Sequence, residues 1–375
     1  MRKVLLTVFT ATSLGMAAQG YYKDVTNPEI LHEESMASSE NRREFVLPER
    51  VNGLIPLKYD LHIHTNYSDG ECTPSFRVRE AWLDGLDGIA ITDHIEYRPN
   101  DGVMASFLKT TLPAGHMPDL NKSVKLAQDA SVWYGIVVIP GTEITRNPND
   151  VGHFNALFTT DNNLIPDVDP LQAIRNAKAQ GALVQYNHPG WARKTVEPTP
   201  VEAAAKAEGL IDGIEIMNTD EFYPAIVDRA VEYDAYPAAN TDIHGSTAEG
   251  YGMLGQQRNM TIIFARENTL EAVREALEKK QTLAYWHGTL AGNEQLLKDL
   301  FAAGIKVNNV GNRLLLTNTT SLRLILQPEG GNRVILNPMS SVRVAKNKEG
   351  EAKLTILNWF SGSDSHPTVI CSAEK

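Results

Sequence analysis

The chain has 375 residues, 42% of them hydrophobic, with a formal net charge of −11 and two cysteines. That length accommodates a large core, or a barrel with a smaller module. The acidic balance leaves no general attraction to a nucleic-acid backbone or an anionic membrane, so a bound phosphate must be drawn by metals or by a few basic side chains.

Residues 1–20 read as an export signal: Arg2 and Lys3 precede an apolar run over 4–18, and Ala18-Gln19-Gly20 offers small residues for cleavage. The mature protein is then expected in the periplasm or outside the cell. No other stretch is apolar enough over a bilayer's thickness to suggest a membrane span. Residues 21–56 are polar and mixed in charge and are expected to form an extended lead-in, with order beginning near Leu57. From 57 to 290 short apolar runs (58–62, 88–92, 136–140, 154–158, 182–186, 213–217, 238–241, 260–264, 283–285) alternate with helical stretches (74–84, 120–134, 170–180, 201–208, 221–233, 270–279). This alternation predicts an α/β fold around a largely parallel sheet, and seven or eight such units favour a barrel over an open sheet.

After a helix over 293–303 the texture changes. Residues 305–375 carry alternating apolar runs broken by turn signals such as Pro328-Glu329-Gly330-Gly331-Asn332. The region 291–375 is therefore expected to be a small all-β, sandwich-like domain packed on the barrel, framing its mouth or extending a homodimer interface. Cys72 and Cys371 are far apart in sequence and are not expected to pair.

The polar motifs gather at strand ends. His62 and His64 follow the first run in Asp60-Leu61-His62-Ile63-His64; two residues apart on extended chain, they point the same way. Asp69 follows in a turn, His94 ends Thr92-Asp93-His94, and Glu143 ends Pro140-Gly141-Thr142-Glu143. His153 opens Gly152-His153-Phe154, His188 ends Asn187-His188-Pro189, and Asp242 and His244 lie in Thr241-Asp242-Ile243-His244. Sites of parallel α/β folds form at the carboxyl ends of strands. Six imidazoles and three carboxylates at one mouth are too many for one ion, so two or three divalent ions (Zn, Mn or Fe) are expected. His32, His116, His287 and His366 are read as ordinary core or surface residues. Asp93 is either an acceptor behind a ligand imidazole or a turn cap.

At these residues the sequence resembles the PHP (polymerase and histidinol phosphatase) family of metal-dependent phosphoesterases, over roughly residues 57–290 and with the motifs in family order. The resemblance implies a distorted (β/α)7 barrel with a trinuclear centre. It implies a first ion on His62, His64, Glu143 and Asp242, a second on Asp69, His94 and His244, and a third on Glu143, His153 and His188. The Asp at position 69 is similar to the small-substrate phosphoesterase and exonuclease-like branch. The C-terminal module and the export signal lie outside the resemblance.

The ligand set suggests attack on phosphorus by a hydroxide bridging two ions, on a small phosphomonoester or nucleotide-like phosphodiester. Asp242 or Asp93 is a candidate proton shuttle and Arg193 a candidate phosphate contact. No extended nucleic-acid surface is expected. The alternatives are an amidohydrolase-like enzyme with the same centre, or a non-catalytic exported metal- or glycan-binding protein.

Overall fold

In the computed structural model, residues 42–101 and 118–373 are described; the expected export signal, most of the expected lead-in, His32 and His116 fall outside the described residues. The alternating runs fold as strands: β1 Ile55–Asp60, β2 Gly88–Ile91, β3 Val137–Thr145, β4 His153–Leu157, β5 Leu183–Asn187, β6 Gly213–Asn218, β7 Glu221–Phe222, β8 Tyr236–Asn240, β9 Met260–Ala265, β10 Thr282–Trp286 and β11 Thr289–Gly292. Covering helices include α1 Pro74–Leu83, α2 Lys122–Ser131, α3 Pro170–Ala179, α4 Pro200–Ala207 and α5 Pro224–Glu232. Three of them start on the same local signal, a capping side chain followed by proline: Thr73-Pro74, Asp169-Pro170 and Thr199-Pro200. The side-chain oxygen satisfies a free backbone N–H, and the proline gives up a donor the first turn does not need.

The sheet is a curled barrel, but its strands are mixed in direction rather than largely parallel. β1–β2–β3 and β5–β6–β8 pair in parallel. β4 runs against both β3 and β5, and β9 against both β1 and β10. Strand direction has no local sequence signature when both faces are buried, which is why the reversals were not legible. They matter for the site, because the first residue of reversed β4 lies level with the ends of its neighbours: His153 pairs with Thr145 on one side and Asn187 on the other. Main-chain bonds then close the rim between the segments following β1 and β8. Asp242 N donates to His62 O at 2.9 Å and His64 N to Ile243 O at 3.2 Å.

Two further helices are α6 Leu270–Glu278 on the barrel and α7 Glu294–Gly304, which leads into the C-terminal strands. There β12 Ile305–Val310, β13 Arg313–Asn318 and β16 Ser341–Ala345 form one antiparallel sheet. β14 Leu324–Pro328, β15 Val334–Leu336, β17 Ala352–Ile356 and β19 Thr368–Cys371 form another. Burial alternates along β13 and β17, as expected of sheets with one wet face. Leu314, Leu316, Leu326, Leu354 and Ile356 share one core with Leu297, Leu300 and Phe301 of α7.

The expected boundary at 290/291 falls inside β11, and the module returns a strand to the barrel: β18, Trp359–Phe360, pairs in parallel with β11. Order also begins before Leu57. Phe45 and Val51 are buried, Phe45 stacks edge-on against Tyr285 at 5.0 Å, and Val46 exchanges hydrogen bonds with Ser321. A polar stretch can still be ordered when a few apolar residues in it reach a core. Both cysteine thiols are free, and no helix among the described residues is long and apolar enough to cross a membrane.

Candidate metal centre

All nine expected ligands come together at the rim. They fall into four overlapping groups whose donor atoms lie within 4.8 Å of one another: His64, Asp69, His94 and His244; His62, His64 and Glu143; His62, His188 and Asp242; Glu143, His153 and His188. The last is the expected third set. His64 joins the expected second set, and the expected first set is split between two groups. His62 Nε2 stands 3.3 Å from Glu143, 3.2 Å from Asp242 and 3.1 Å from His64 Nε2. His94 Nδ1 is 2.6 Å from Glu143 and His94 Nε2 is 3.4 Å from Asp69. Separations of 3–4 Å are those of ligands sharing an ion with bonds of about 2 Å.

The residues fit divalent ions on three grounds. Three imidazoles are fixed by an acceptor behind them, which leaves the other nitrogen facing the cluster. His62 Nδ1 donates to Glu215 Oε1 at 2.9 Å, His153 Nε2 to Arg146 O at 3.0 Å, and His244 Nδ1 to Asp242 O at 2.8 Å. Buried His64 Nδ1 and Asp69 Oδ1 have no hydrogen-bond partner, although they face each other at 3.9 Å. An imidazole nitrogen and a carboxylate oxygen left unpartnered at that spacing each offer a lone pair, which a cation between them would satisfy. The chemistry of the set, imidazole with carboxylate, suits Zn, Mn or Fe.

Charge in the cluster is strongly coupled. Burial opposes a charge on His62, yet Asp242, Glu215 and Glu143 together hold its imidazole well above the ordinary value. His94 behaves alike: burial works against it, but Glu143 and Asp69 push it up to about 10. His64 goes the other way, down to about 4, through burial and then the neighbouring His94. Burial would raise Glu143, but His62, His94 and His153 hold its carboxyl well below the usual range. His62 and His94 thus favour the charged form as counter-charge to the carboxylates, and a metal ion must displace those protons.

Two expected side chains are otherwise engaged. The Asp93 carboxylate accepts from Thr65 N, Thr65 Oγ1 and Ser68 Oγ, each at 2.7 Å, so it caps the 65–68 turn and is no free proton shuttle. Arg193 donates to Pro189 O at 2.7 Å and Glu197 O at 2.6 Å; it braces its own loop instead of facing the rim. His366 and His287 keep the ordinary roles expected of them: His366 Nδ1 bonds Trp359 O, and His287 stacks on Tyr251.

Two important residues carried no motif. Glu215, fully buried in β6, bonds His62 and also accepts from His188 N, Asn218 Nδ2 and Asn240 Nδ2. Its only signal was a lone acid inside an apolar strand, Gly213-Ile214-Glu215-Ile216. Arg77, fully buried on α1, donates to the carbonyls of His64, Ile243, His244 and Gly245 and to Glu80. It ties the loop after β1 to the loop after β8, and nothing marked it apart from an ordinary helical arginine.

A family model described as the PHP domain matches residues 60–284. A solved two-domain protein from Bacteroides vulgatus, containing a predicted PHP-like metal-dependent phosphoesterase, is 32% identical with a TM-score of 0.79. That match covers 88% of this chain and 98% of the other. An uncharacterized protein of Methanocaldococcus jannaschii is 34% identical over 92 residues, 24% of this chain; the match spans only 35% of that curated relative's length. A lesion-specific endonuclease of Pyrococcus furiosus, 16% identical with a TM-score of 0.41 over 64% of this chain and 59% of its own, is too distant to argue from.

Proposed function

The chain belongs to the PHP domain family and is a metal-dependent phosphoesterase; on that premise we propose that it hydrolyses a small phosphomonoester or a nucleotide-like phosphodiester. The observation that carries this reading is Glu143, whose carboxylate faces His62, His94, His153 and His188 at 2.6–3.7 Å and so suits a carboxylate shared between ions. His62, His64, Glu143 and Asp242 would hold one ion; Asp69, His94 and His244 a second; Glu143, His153 and His188 a third. Divalent ions held there would acidify a water and neutralise phosphate oxygens.

The chain's own contribution is placement. Glu215 fixes which nitrogen of His62 carries the proton and anchors the backbone of His188. Asn187 Nδ2 donates to Glu143 Oε1 at 2.9 Å and holds that carboxylate's rotamer. Arg77 locks the two ligand loops in register. Asp242, its side chain 16% exposed and 3.2 Å from His62, is the candidate acid to relay a proton to a departing alcohol. The export reading rests on residues 1–20 alone.

The test is metal content measured together with phosphatase activity, on protein purified without chelator, for wild type and His94→Ala. We expect about two or more equivalents of Mn, Fe or Zn. His94→Ala should lose at least about 100-fold in activity, since even a residue that only supports a ligand costs 10- to 100-fold. Metal bound without ester cleavage would favour the amidohydrolase-like or binding readings. No metal after reconstitution would overturn the centre itself.

A further inference from the structure

Beside the third ligand set stands a large aromatic ring that the fold does not cover. The Trp191 ring lies 5.4 Å from both His153 and His188, yet 46% of the residue remains exposed. Leaving that much indole in water gains the fold nothing, and a ring held at a site mouth suits contact with another apolar surface.

The loop that presents it is firmly built. His188 N bonds Glu215, Trp191 N bonds His188 O at 3.0 Å, and Arg193 clamps Pro189 O and Glu197 O. His188 and Ala192 both sit at positive φ (27° and 55°), a conformation costly outside glycine that persists only where its surroundings enforce it. Gly190 is required as well, because a Cβ there would lie 2.5 Å from the Tyr223 ring. A loop so constrained holds the indole at one place and angle relative to the ligands.

We propose that Trp191 is a stacking platform for a planar ring in the organic part of the ester, so that aryl and nucleoside phosphates are preferred to alkyl phosphates of equal charge. This rests on the phosphoesterase reading and adds a substrate class to it. Stacking suits the role because every planar ring offers a π-face and a rigid indole loses little freedom on contact. A phosphate at the rim puts a ring attached to it within reach of Trp191.

The experiment compares phenyl phosphate and adenosine 5′-monophosphate with glycerol 3-phosphate, in the full chain loaded with Mn. Trp191→Ala should lower the ring-to-alkyl ratio of kcat/KM by about tenfold, and Trp191→Phe should recover part of it. If Trp191 only walls the ligands, both substrate types fall together, metal content falls with them, and the proposal is overturned. Phenyl phosphate accepted without adenosine 5′-monophosphate would support a platform for simple aryl esters. If no ester is cleaved, the phosphoesterase reading fails, and the platform is judged by binding. Adenosine 5′-monophosphate should quench tryptophan fluorescence in the wild type and not in Trp191→Phe, and equal quenching in both overturns it.

Discussion

At the barrel mouth, the residues with no exposed surface include His62, His64, Glu143 and Glu215; in the C-terminal module they include Leu314, Leu316, Leu326, Leu336, Leu354 and Ile356. The polar layer continues below the mouth into the barrel, where Asn155, Gln185, Asn187 and Asn240 are buried as well. The module's interior is held by apolar contact, which needs nothing from outside the chain. The mouth is held by charges facing charges, an arrangement that is costly dry and becomes favourable when cations enter it. One region is therefore tuned for stability and the other for binding, and substitutions should separate the two.

The largest effect is expected in the module. Leu354→Ala removes a fully buried side chain and should lower unfolding stability by about 2–5 kcal/mol, measured by denaturant titration. Activity per folded molecule should stay as in the wild type. A fall in kcat that exceeds the folded fraction would break the separation and show that the module shapes the mouth.

Next comes Glu215→Gln, which keeps the volume but turns one acceptor oxygen into a donor facing His188 N–H or the Asn240 amide. Metal binding should weaken by about 10- to 100-fold, as for other residues that orient ligands. Equilibrium dialysis checks this. Unchanged affinity would mean that His62 holds its orientation without the acid.

The smallest effect is the pH response of chelated protein. His94 is held at about 10 against an ordinary 6.5, so its charged form stabilises the fold below pH 6.5, and that contribution is lost as pH rises through 10. His62, His188 and His244 are raised as well, and their contribution is lost in the same direction. Thermal melts of chelated protein should therefore fall between pH 7 and 10. Metal-loaded protein should respond less, because the cation has already replaced those protons. Parallel curves with and without metal would show that the mouth does not exchange protons for ions.

The nine clustered residues were legible because each sits in a short polar motif interrupting an apolar run, and strand ends are where such motifs converge. Glu215 and Arg77 were not legible: each is a single polar residue whose partners lie far off in sequence, such as His62 or the Ile243 carbonyl. The reversed direction of β4 was hidden because a strand buried on both faces reads the same either way. For Asp93 the turn-cap alternative matches its hydrogen bonds, and Arg193 bonds two carbonyls of its own loop, because proximity in sequence to a clustered residue does not fix where a side chain's hydrogen bonds go. The two small sheets were visible from their period-two pattern, whereas the two-residue β18 is too short to show one.

That last strand has a consequence for how the molecule is made. Trp359 and Phe360 complete the edge that β11 leaves open, and Val46 pairs with Ser321. Both closures come from segments that follow the barrel strands in the chain, so a barrel made without them would present a bare strand edge and an unclosed seam. Such a product is exposed to aggregation and proteolysis. The two-residue strand therefore covers an edge that the barrel strands alone leave bare.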